Sequence, residues 1–241
     1  MEEEEIGRLR KLVAESENIV FFGGAGVSTE SGIPDFRSQD GLYRQQYDYP
    51  PETIISHGFF LSHTAEFFRF YKAKMLFPDA APNPCHLALA RLEEAGKLKA
   101  VITQNIDGLH GKAGSKNVLE LHGSVWRNFC MKCGKAHTMY EIIGAEGIPR
   151  CECGGVIKPD VVLYEENLDE GILHASVKAI SEADLLIVGG TSLAVYPAAG
   201  LLQFFRGEHL VVINKTPTPA DRSAELVLSL PIGEVFSRLE F

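Results

Sequence analysis

The sequence Lys99-Ala100-Val101-Ile102-Thr103-Gln104-Asn105-Ile106-Asp107 joins a short apolar run to an amide pair and a carboxylate. A second apolar run, at residues 118–121, is followed in the same way by His122 and Gly123. In open α/β sheets, ligands bind beyond the carboxyl ends of such strands. These two stretches therefore predict a sheet with a polar site at one edge. A single histidine is weak evidence of catalysis, so His122 gains weight only from the motifs around it.

The same pattern of apolar run and polar end recurs along the chain. The runs alternate with helical patterns, which predicts a Rossmann-like, doubly wound α/β fold with helices on both faces of a parallel sheet. The predicted strands are residues 18–22, 99–103, 118–121, 160–164, 184–188 and 209–213. Most of them end in small or polar residues, so we expect their ends to converge on one site.

Two segments break the alternation and predict a smaller inserted lobe. Residues 36–80 carry aromatic residues at helical spacing, which favours a helical insertion with its own core. Residues 125–157 hold four of the five cysteines and predict a metal-binding insertion. The remainder, residues 1–35, 81–124 and 158–241, is assigned to a discontinuous Rossmann-like domain.

Size and charge limit the classes of function. With 241 residues, 45% of them apolar, the chain can bury a large core. The net charge of −9 and the lack of a Lys/Arg cluster argue against nucleic acid as a partner. The acidic start precedes no apolar segment, and no apolar stretch reaches the roughly 18 residues of a membrane helix. We therefore expect a cytoplasmic protein without membrane contact, and a monomer because no heptad pattern is present.

A glycine-rich turn follows the first strand. In Gly24-Ala25-Gly26-Val27-Ser28 the glycines could let the backbone approach a pyrophosphate, with exposed N–H groups as donors. A dehydrogenase fingerprint would need a third glycine where Thr29 stands, and an acidic residue closing a second strand. The next loop offers Asp35, Phe36 and Arg37 as a lid over a nucleotide. The alternative is a tight turn without a ligand.

The cysteines predict a structural zinc site. Cys130 and Cys133 form a C-x-x-C pair, and Cys151 and Cys153 form a C-x-C pair. Without a sign of secretion, paired cysteines favour metal binding over disulfides. Four thiolates suit tetrahedral zinc and leave no open coordination position for chemistry. The short second pair leaves the affinity open, with His137 as a possible substitute ligand.

Together these motifs resemble those of the sirtuin family, from about residue 8 to the C-terminus. The matching motifs, in family order, are Gly24-Ala25-Gly26-Val27-Ser28, Gly32-Ile33-Pro34-Asp35-Phe36-Arg37, Gln104-Asn105-Ile106-Asp107, His122-Gly123 and the two cysteine pairs. The resemblance implies a bacterial NAD-dependent protein-lysine deacetylase that consumes NAD as a co-substrate and holds one structural zinc ion. The acetyl group of a protein or peptide would pass to ADP-ribose, releasing nicotinamide, free lysine and O-acetyl-ADP-ribose.

The resemblance also assigns residues by matching position. His122 would be the general base, a role that suits an imidazole near neutral pH, with Asn105 and Asp107 as further catalytic residues. The residues implied to bind NAD are Gly24, Ala25, Gly26, Thr29, Asp35, Phe36, Arg37, Gln104, Asn105, Ile106, Asp107, His122, Thr191, Ser192, Asn214 and Ile232. Those implied to bind the substrate peptide are Val162, Tyr164, Glu165 and Val195.

Several alternatives stay open at this level. Thr191 and Ser192 could instead cap a helix. Family members commonly have glycine where Glu165 stands, and an acidic residue there could favour basic flanking sequence. Sirtuins that prefer succinyl or malonyl groups carry Tyr-x-x-Arg where this chain has Phe68-Arg69-Phe70-Tyr71, so neutral acyl groups are expected. The rival functions are a mono-ADP-ribosyltransferase, a longer-chain neutral deacylase and a silent NAD-binding or peptide-binding module.

Overall fold

A computed structural model describes residues 2–36, 41–42 and 47–239 of the chain. Within these residues the larger sheet contains the strands β1 (Ile19–Gly23), β2 (Leu98–Thr103), β3 (Val118–Glu120), β7 (Leu185–Gly189), β8 (His209–Ile213) and β9 (Leu226–Leu228). All of its strand pairs are parallel, and their order is β3-β2-β1-β7-β8-β9. The predicted parallel α/β sheet is therefore confirmed.

Helices cover both faces of this sheet. The described helices are α1 (Glu2–Glu15), α2 (Pro51–Ile54), α3 (His57–Ser62), α4 (Thr64–Lys74), α5 (Pro84–Glu94), α6 (Leu109–Ala113), α7 (Met139–Gly144), α8 (Glu170–Glu182) and α9 (Ile232–Ser237). Because side chains alternate along a strand, Ile19 and Phe21 of β1 pack with α1, α5 and α9. Val20 and Phe22 pack on the opposite face, with α8. This two-sided burial explains why the strands read as continuous apolar runs.

The strand order places a ligand crevice at β1. The chain leaves β1 for β2 and β3 on one side, and later fills β7, β8 and β9 on the other side. Such a reversal opens a crevice beyond the carboxyl ends of the two strands that meet there. Gly24 follows β1 at this point and Gly190 follows β7, so glycine turns border the crevice.

A second, smaller sheet and the inserted helices share one core. The sheet is antiparallel, with β4 (Gly123–Cys130) between β5 (Ala136–Thr138) and β6 (Ile157–Val161). Its Val125 and Val161 pack against the aromatic stripe that the sequence predicted. The stripe includes Phe60, Phe67, Phe68 and Tyr71 from α3 and α4. The two insertions thus form one lobe.

One strand prediction differs from the structure. Residues 160–164 were predicted as a parallel strand, but β6 ends at Val161 and pairs antiparallel with β4 in the small sheet. A short apolar run has the same composition in either kind of sheet, so the pattern could not separate them. The strands β4, β5 and β9 were not among the predicted strands. Among the described helices, none combines the length and apolarity that a membrane crossing requires.

Candidate active site

A cleft of about 890 Å³ lies between the carboxyl edge of the large sheet and the small lobe. Its lining contains every described residue that the resemblance assigned to NAD or to the peptide. These are Gly24, Ala25, Gly26, Thr29, Asp35, Phe36, Gln104, Asn105, Ile106, Asp107, His122, Val162, Tyr164, Glu165, Thr191, Ser192, Val195, Asn214 and Ile232. Arg37, the remaining assigned residue, lies outside the described residues. Residues from strand ends far apart in sequence are therefore brought into one site.

His122 follows β3 and is held in one tautomer. Its Nδ1 lies 2.9 Å from the carbonyl oxygen of Gln104. A carbonyl only accepts hydrogen bonds, so Nδ1 carries the proton and Nε2 keeps its lone pair. Burial lowers the pKa of His122, and the bond to Gln104 partly opposes that shift. The imidazole is therefore neutral and ready to accept a proton at neutral pH.

Gly123 and Arg127 fix the turn that carries His122 into the small lobe. Gly123 has a φ of 76°, and a Cβ there would collide with the carbonyl oxygen of Asp160. Arg127 donates from Nη1 to Glu120 and from Nε to Asp160, both at 2.7 Å. One guanidinium thus joins β3, β4 and β6 beside the histidine.

A hydrogen-bonded chain links the amide and carboxylate that the sequence singled out. The Asn105 side chain donates to Ser28 Oγ at 3.1 Å, and Ser28 donates to Asp107 Oδ2 at 2.7 Å. Burial raises the pKa of Asp107, while hydrogen bonds from Leu109 N–H and Ser28 lower it. The assigned residues omitted Ser28, although it closes the glycine motif. Its place inside that motif was the available signal.

The glycine turns after β1 and β7 pack against each other, and the N–H groups of Gly24 and Gly26 are bonded between them. Gly24 N–H donates to the Gly189 carbonyl at 3.2 Å, and Gly26 N–H donates to the Gly190 carbonyl at 2.8 Å. A Cβ on Gly26 would lie 2.8 Å from Gly190 Cα. The N–H groups of Gly24 and Gly26 are therefore not free donors, and these glycines allow the two turns to approach each other closely.

Thr191 links strand ends and does not cap a helix. Its Oγ1 accepts from Gln104 Nε2 and from the Leu193 N–H, each at 3.1 Å. The next helical segment is the 3-10 helix Ala198–Phe204, which has Pro197 at its N-cap. The capping alternative for Thr191 and Ser192 is therefore wrong. The bond to Gln104 ties the turn after β7 to the loop after β2.

The four paired cysteines come together at the tip of the small lobe. The Sγ atoms of Cys130, Cys133, Cys151 and Cys153 all lie within 4.8 Å of one another. Cys130 and Cys153 are 3.4 Å apart, and Cys133 and Cys151 are 3.8 Å apart. Tetrahedral zinc with Zn–S bonds near 2.3 Å places its sulfurs about 3.8 Å apart. The cluster fits zinc, and the C-x-C spacing does not prevent it.

His137 does not belong to this cluster. Its Nδ1 pairs with Glu141 Oε1 at 2.8 Å, and the metal-ligand set found among the described residues contains only the four cysteines. The suggestion that His137 substitutes for a cysteine is not supported by this geometry.

Comparison with known proteins defines the class. The chain belongs to the Sir2 family, whose model matches residues 24–197. Two bacterial relatives carry the name NAD-dependent protein deacetylase. The protein of Clostridium acetobutylicum is 61% identical over 236 residues, covering 96% of each chain. The protein of Clostridium perfringens is 56% identical over 244 residues, covering 98% of this chain and 99% of the relative.

Solved structures agree with this assignment. A Sir2 variant with deacetylated p53 peptide and 3′-O-acetyl ADP ribose matches with a TM-score of 0.90 and 40% identity, over 97% of this chain and 96% of that chain. A complex of Sir2 with p53 peptide and NAD+ matches with a TM-score of 0.86 and 41% identity, over the same shares. The similarity covers the sheet, the lobe and the cleft between them.

Proposed function

We propose that this Sir2-family protein is an NAD-dependent protein-lysine deacetylase that produces O-acetyl-ADP-ribose. The observation that carries the proposal is His122, whose Nδ1 is bound to the Gln104 carbonyl while its ring lines the cleft. A neutral histidine with an unprotonated Nε2 can act as a general base. The deacetylase names of relatives at 56% and 61% identity support the same reaction.

The residues of the cleft fit NAD. Buried polar groups, hydroxyls and close-packed glycine turns occupy the switch point where dinucleotides bind in this architecture. Thr191, Ser192 and Asn214 would face phosphate and ribose oxygens, and Ile232 would contact the adenosine half. When bound, NAD supplies the ribose carbon that the acetyl oxygen of the substrate lysine joins as nicotinamide leaves.

The chain's own residues would position the nicotinamide group and remove a proton from the ribose. Asn105 and Asp107, held rigid through Ser28, would orient the nicotinamide group. His122 would accept a proton from a ribose hydroxyl at Nε2. Each role needs a half-buried site from which water is excluded, because a cationic sugar would otherwise be hydrolysed.

The peptide would bind along residues 162–165, between the large sheet and the small lobe. Val162 N–H donates to the His122 carbonyl, Tyr164 N–H donates to Ile55, and the Tyr164 carbonyl accepts from His57 N–H. The Val162 carbonyl and the Glu165 N–H have no backbone partner among the described residues. Free backbone groups in a cleft are what an added peptide strand uses. Val195 would contact the peptide from the large domain.

The helical part of the lobe supports a preference for neutral acyl groups. Tyr71 is 1% exposed and lines the cleft. Arg69, the arginine of this stretch, has a side chain that is 73% exposed and lies 4.0 Å from Asp48. It does not line the cleft and cannot grip an acyl carboxylate there. We expect a higher kcat/KM on acetyl-lysine than on succinyl-lysine, and longer neutral chains remain the alternative.

We also propose a structural metal site and limits for the domains. The four cysteines would hold a structural zinc ion that ties β4 to the segment before β6. The domain limits are residues 1–35, 81–124 and 158–241 for the NAD-binding domain, with insertions at 36–80 and 125–157. The small sheet itself runs from Gly123 to Val161. We further propose a cytoplasmic monomer that does not bind nucleic acid.

Mass spectrometry of the products tests the activity. Purified protein is incubated with an acetyl-lysine peptide, with and without NAD. Nicotinamide, deacetylated peptide and O-acetyl-ADP-ribose should appear only with NAD. Labelled ADP-ribose on protein, with the peptide still acetylated, would instead establish the mono-ADP-ribosyltransferase.

A further inference from the structure

Glu165 has an unusual backbone conformation at the edge of the cleft. Its φ is 76°, in the left-handed region that non-glycine residues rarely adopt. The neighbouring backbone holds it there. Tyr164 is hydrogen-bonded on both sides, to Ile55 and His57, and Glu166 N–H donates to the Leu163 carbonyl. The segment therefore fixes the direction in which the Glu165 side chain leaves the chain.

The Glu165 carboxylate is anchored by one of its oxygens. Oε2 accepts the N–H of Gly58, in α3, at 2.8 Å. No other hydrogen bond to Glu165, and no cation within 4.0 Å, is found among the described residues. The residue is exposed and lines the cleft. A negative charge is thus held in place with its second oxygen open.

The adjacent Glu166 behaves in the opposite way. Its carboxylate accepts from the Leu163 N–H at 2.8 Å, lies 2.7 Å from His57 Nδ1 and lies 3.1 Å from Lys158 Nζ. These partners lower the pKa of Glu166, with burial opposing them. Its charge is compensated locally and is not available to a ligand. Of this acidic pair, Glu165 is the one that faces the cleft uncompensated.

We infer that Glu165 is a specificity-determining residue that selects substrate peptides with basic residues next to the acetyl-lysine. This inference rests on the proposed function, because it requires the peptide to lie along residues 162–165. A fixed carboxylate attracts a flanking guanidinium or ammonium group and repels a flanking carboxylate. The charge costs no reorganisation on binding, because the Gly58 N–H already orients it.

Three acetyl-lysine peptides test the inference, differing only in whether the flanking residues are arginine, glutamine or glutamate. In the wild type we expect kcat/KM to be about three- to tenfold higher for the arginine peptide than for the glutamate peptide, the size of one screened charge contact. Raising NaCl from about 0.05 M to about 0.5 M should move this ratio toward one, because such charges are screened.

Variants locate the effect. E165Q keeps an oxygen for the Gly58 N–H but removes the charge, and its arginine-to-glutamate ratio should fall close to one. E165G, which suits the left-handed backbone, should do the same and serves if E165Q does not fold. E182Q makes the same charge change at the exposed end of α8, outside the cleft, and should keep the wild-type ratio.

The outcomes separate this inference from the proposed function. If no peptide is deacetylated with NAD, the proposed function fails. If wild-type protein turns over all three peptides with equal kcat/KM, the selection by Glu165 is refuted while the deacetylase stands. A ratio that persists in both Glu165 variants would likewise overturn the inference.

Discussion

The two sides of the cleft differ in the interactions that hold their residues in place. On the sheet side, the ends of β1, β2 and β7 are joined by backbone and neutral side-chain hydrogen bonds, such as those of Gln104 to Gly23 and Thr191. On the lobe side, residues 162–166 form a loop held by backbone hydrogen bonds at Val162 and Tyr164 and by the Glu166 carboxylate, which lies 2.7 Å from His57 Nδ1 and 3.1 Å from Lys158 Nζ. Hydrogen bonds between buried strand ends are insensitive to salt, whereas the attraction within a partly exposed ion pair weakens as salt rises.

This difference suggests a division of labour. We propose His122 and Asn105 as catalytic residues, and both lie on the sheet side, where hydrogen bonds fix their side chains. Substrate choice tolerates adjustment, and Tyr164 and Glu165 lie on the loop side. Changes on the sheet side should therefore lower kcat, and changes on the loop side should mainly alter KM and preference between peptides.

The largest expected effect comes from the zinc cluster, on which the lobe side depends. A structural zinc site contributes on the order of 10 kcal/mol to folding, so C133S should lose zinc and unfold the small lobe. Zinc content and the thermal transition would be measured together. C85A is the matched control, because Cys85 is buried outside the cluster, and it should keep the metal. A folded, active C133S protein without zinc would refute the structural role.

Next comes His122, the centre of the sheet side. H122A should reduce kcat/KM by roughly 10²- to 10⁴-fold, the usual value of a general base. NAD binding, measured by calorimetry, should persist. In the wild type, activity should fall as pH drops through the pKa of His122. Burial lowers this pKa, so the fall should occur below the usual histidine value near 6.5. An acid limb above that value would contradict a lowered pKa.

The sequence predicted the sheet side better than the lobe side. Gln104, His122 and Thr191 follow apolar strands, and strand order alone brings such ends together. The prediction for residues 160–164 was wrong because their pairing with β4 depends on the turn at Gly123, where distant parts of the chain meet. The hydrogen bonds of Gly24 and Gly26 to Gly189 and Gly190 could not be predicted from the sequence for the same reason. Motif spacing identifies the residues of the site, but the partner of each hydrogen bond is known only from the folded structure.

A smaller effect compares a positioning residue beside His122 with one in the loop at residues 162–166. R127M removes the bonds to Glu120 and Asp160 beside His122, so we expect kcat to fall about three- to tenfold with little change in the peptide KM. E166Q weakens the pairing with His57 that holds the loop, so we expect the peptide KM to rise by a similar factor with kcat retained.

Steady-state kinetics at varied peptide and saturating NAD separates the two results. The exposed variant E182Q is the control for a change of charge alone. If R127M raised KM and E166Q lowered kcat, the division between the two sides of the cleft would be wrong.

The last expected effect concerns stability and not catalysis: it is a pH dependence of folding beneath the sheet side. His86 and His110 are buried with ring centroids 4.7 Å apart. Burial lowers the pKa of His86 to about 4, and burial together with the charge of His86 lowers that of His110 to about 3. In the unfolded chain both would titrate near 6.5. The unfolded state therefore binds more protons below that pH, and folding free energy is lost as pH falls toward the folded values.

The loss should approach roughly 1.4 kcal/mol per pH unit for each histidine between about pH 6 and pH 4. Urea unfolding of the wild type and H110N at pH 7, 6 and 5 measures it, with H174N on the exposed surface of α8 as the matched control. H110N should show a shallower pH dependence than both, since it removes one titrating group from the buried pair. An unchanged slope would mean that His110 has the same pKa in the folded and the unfolded protein, which would contradict the lowered pKa expected from its burial.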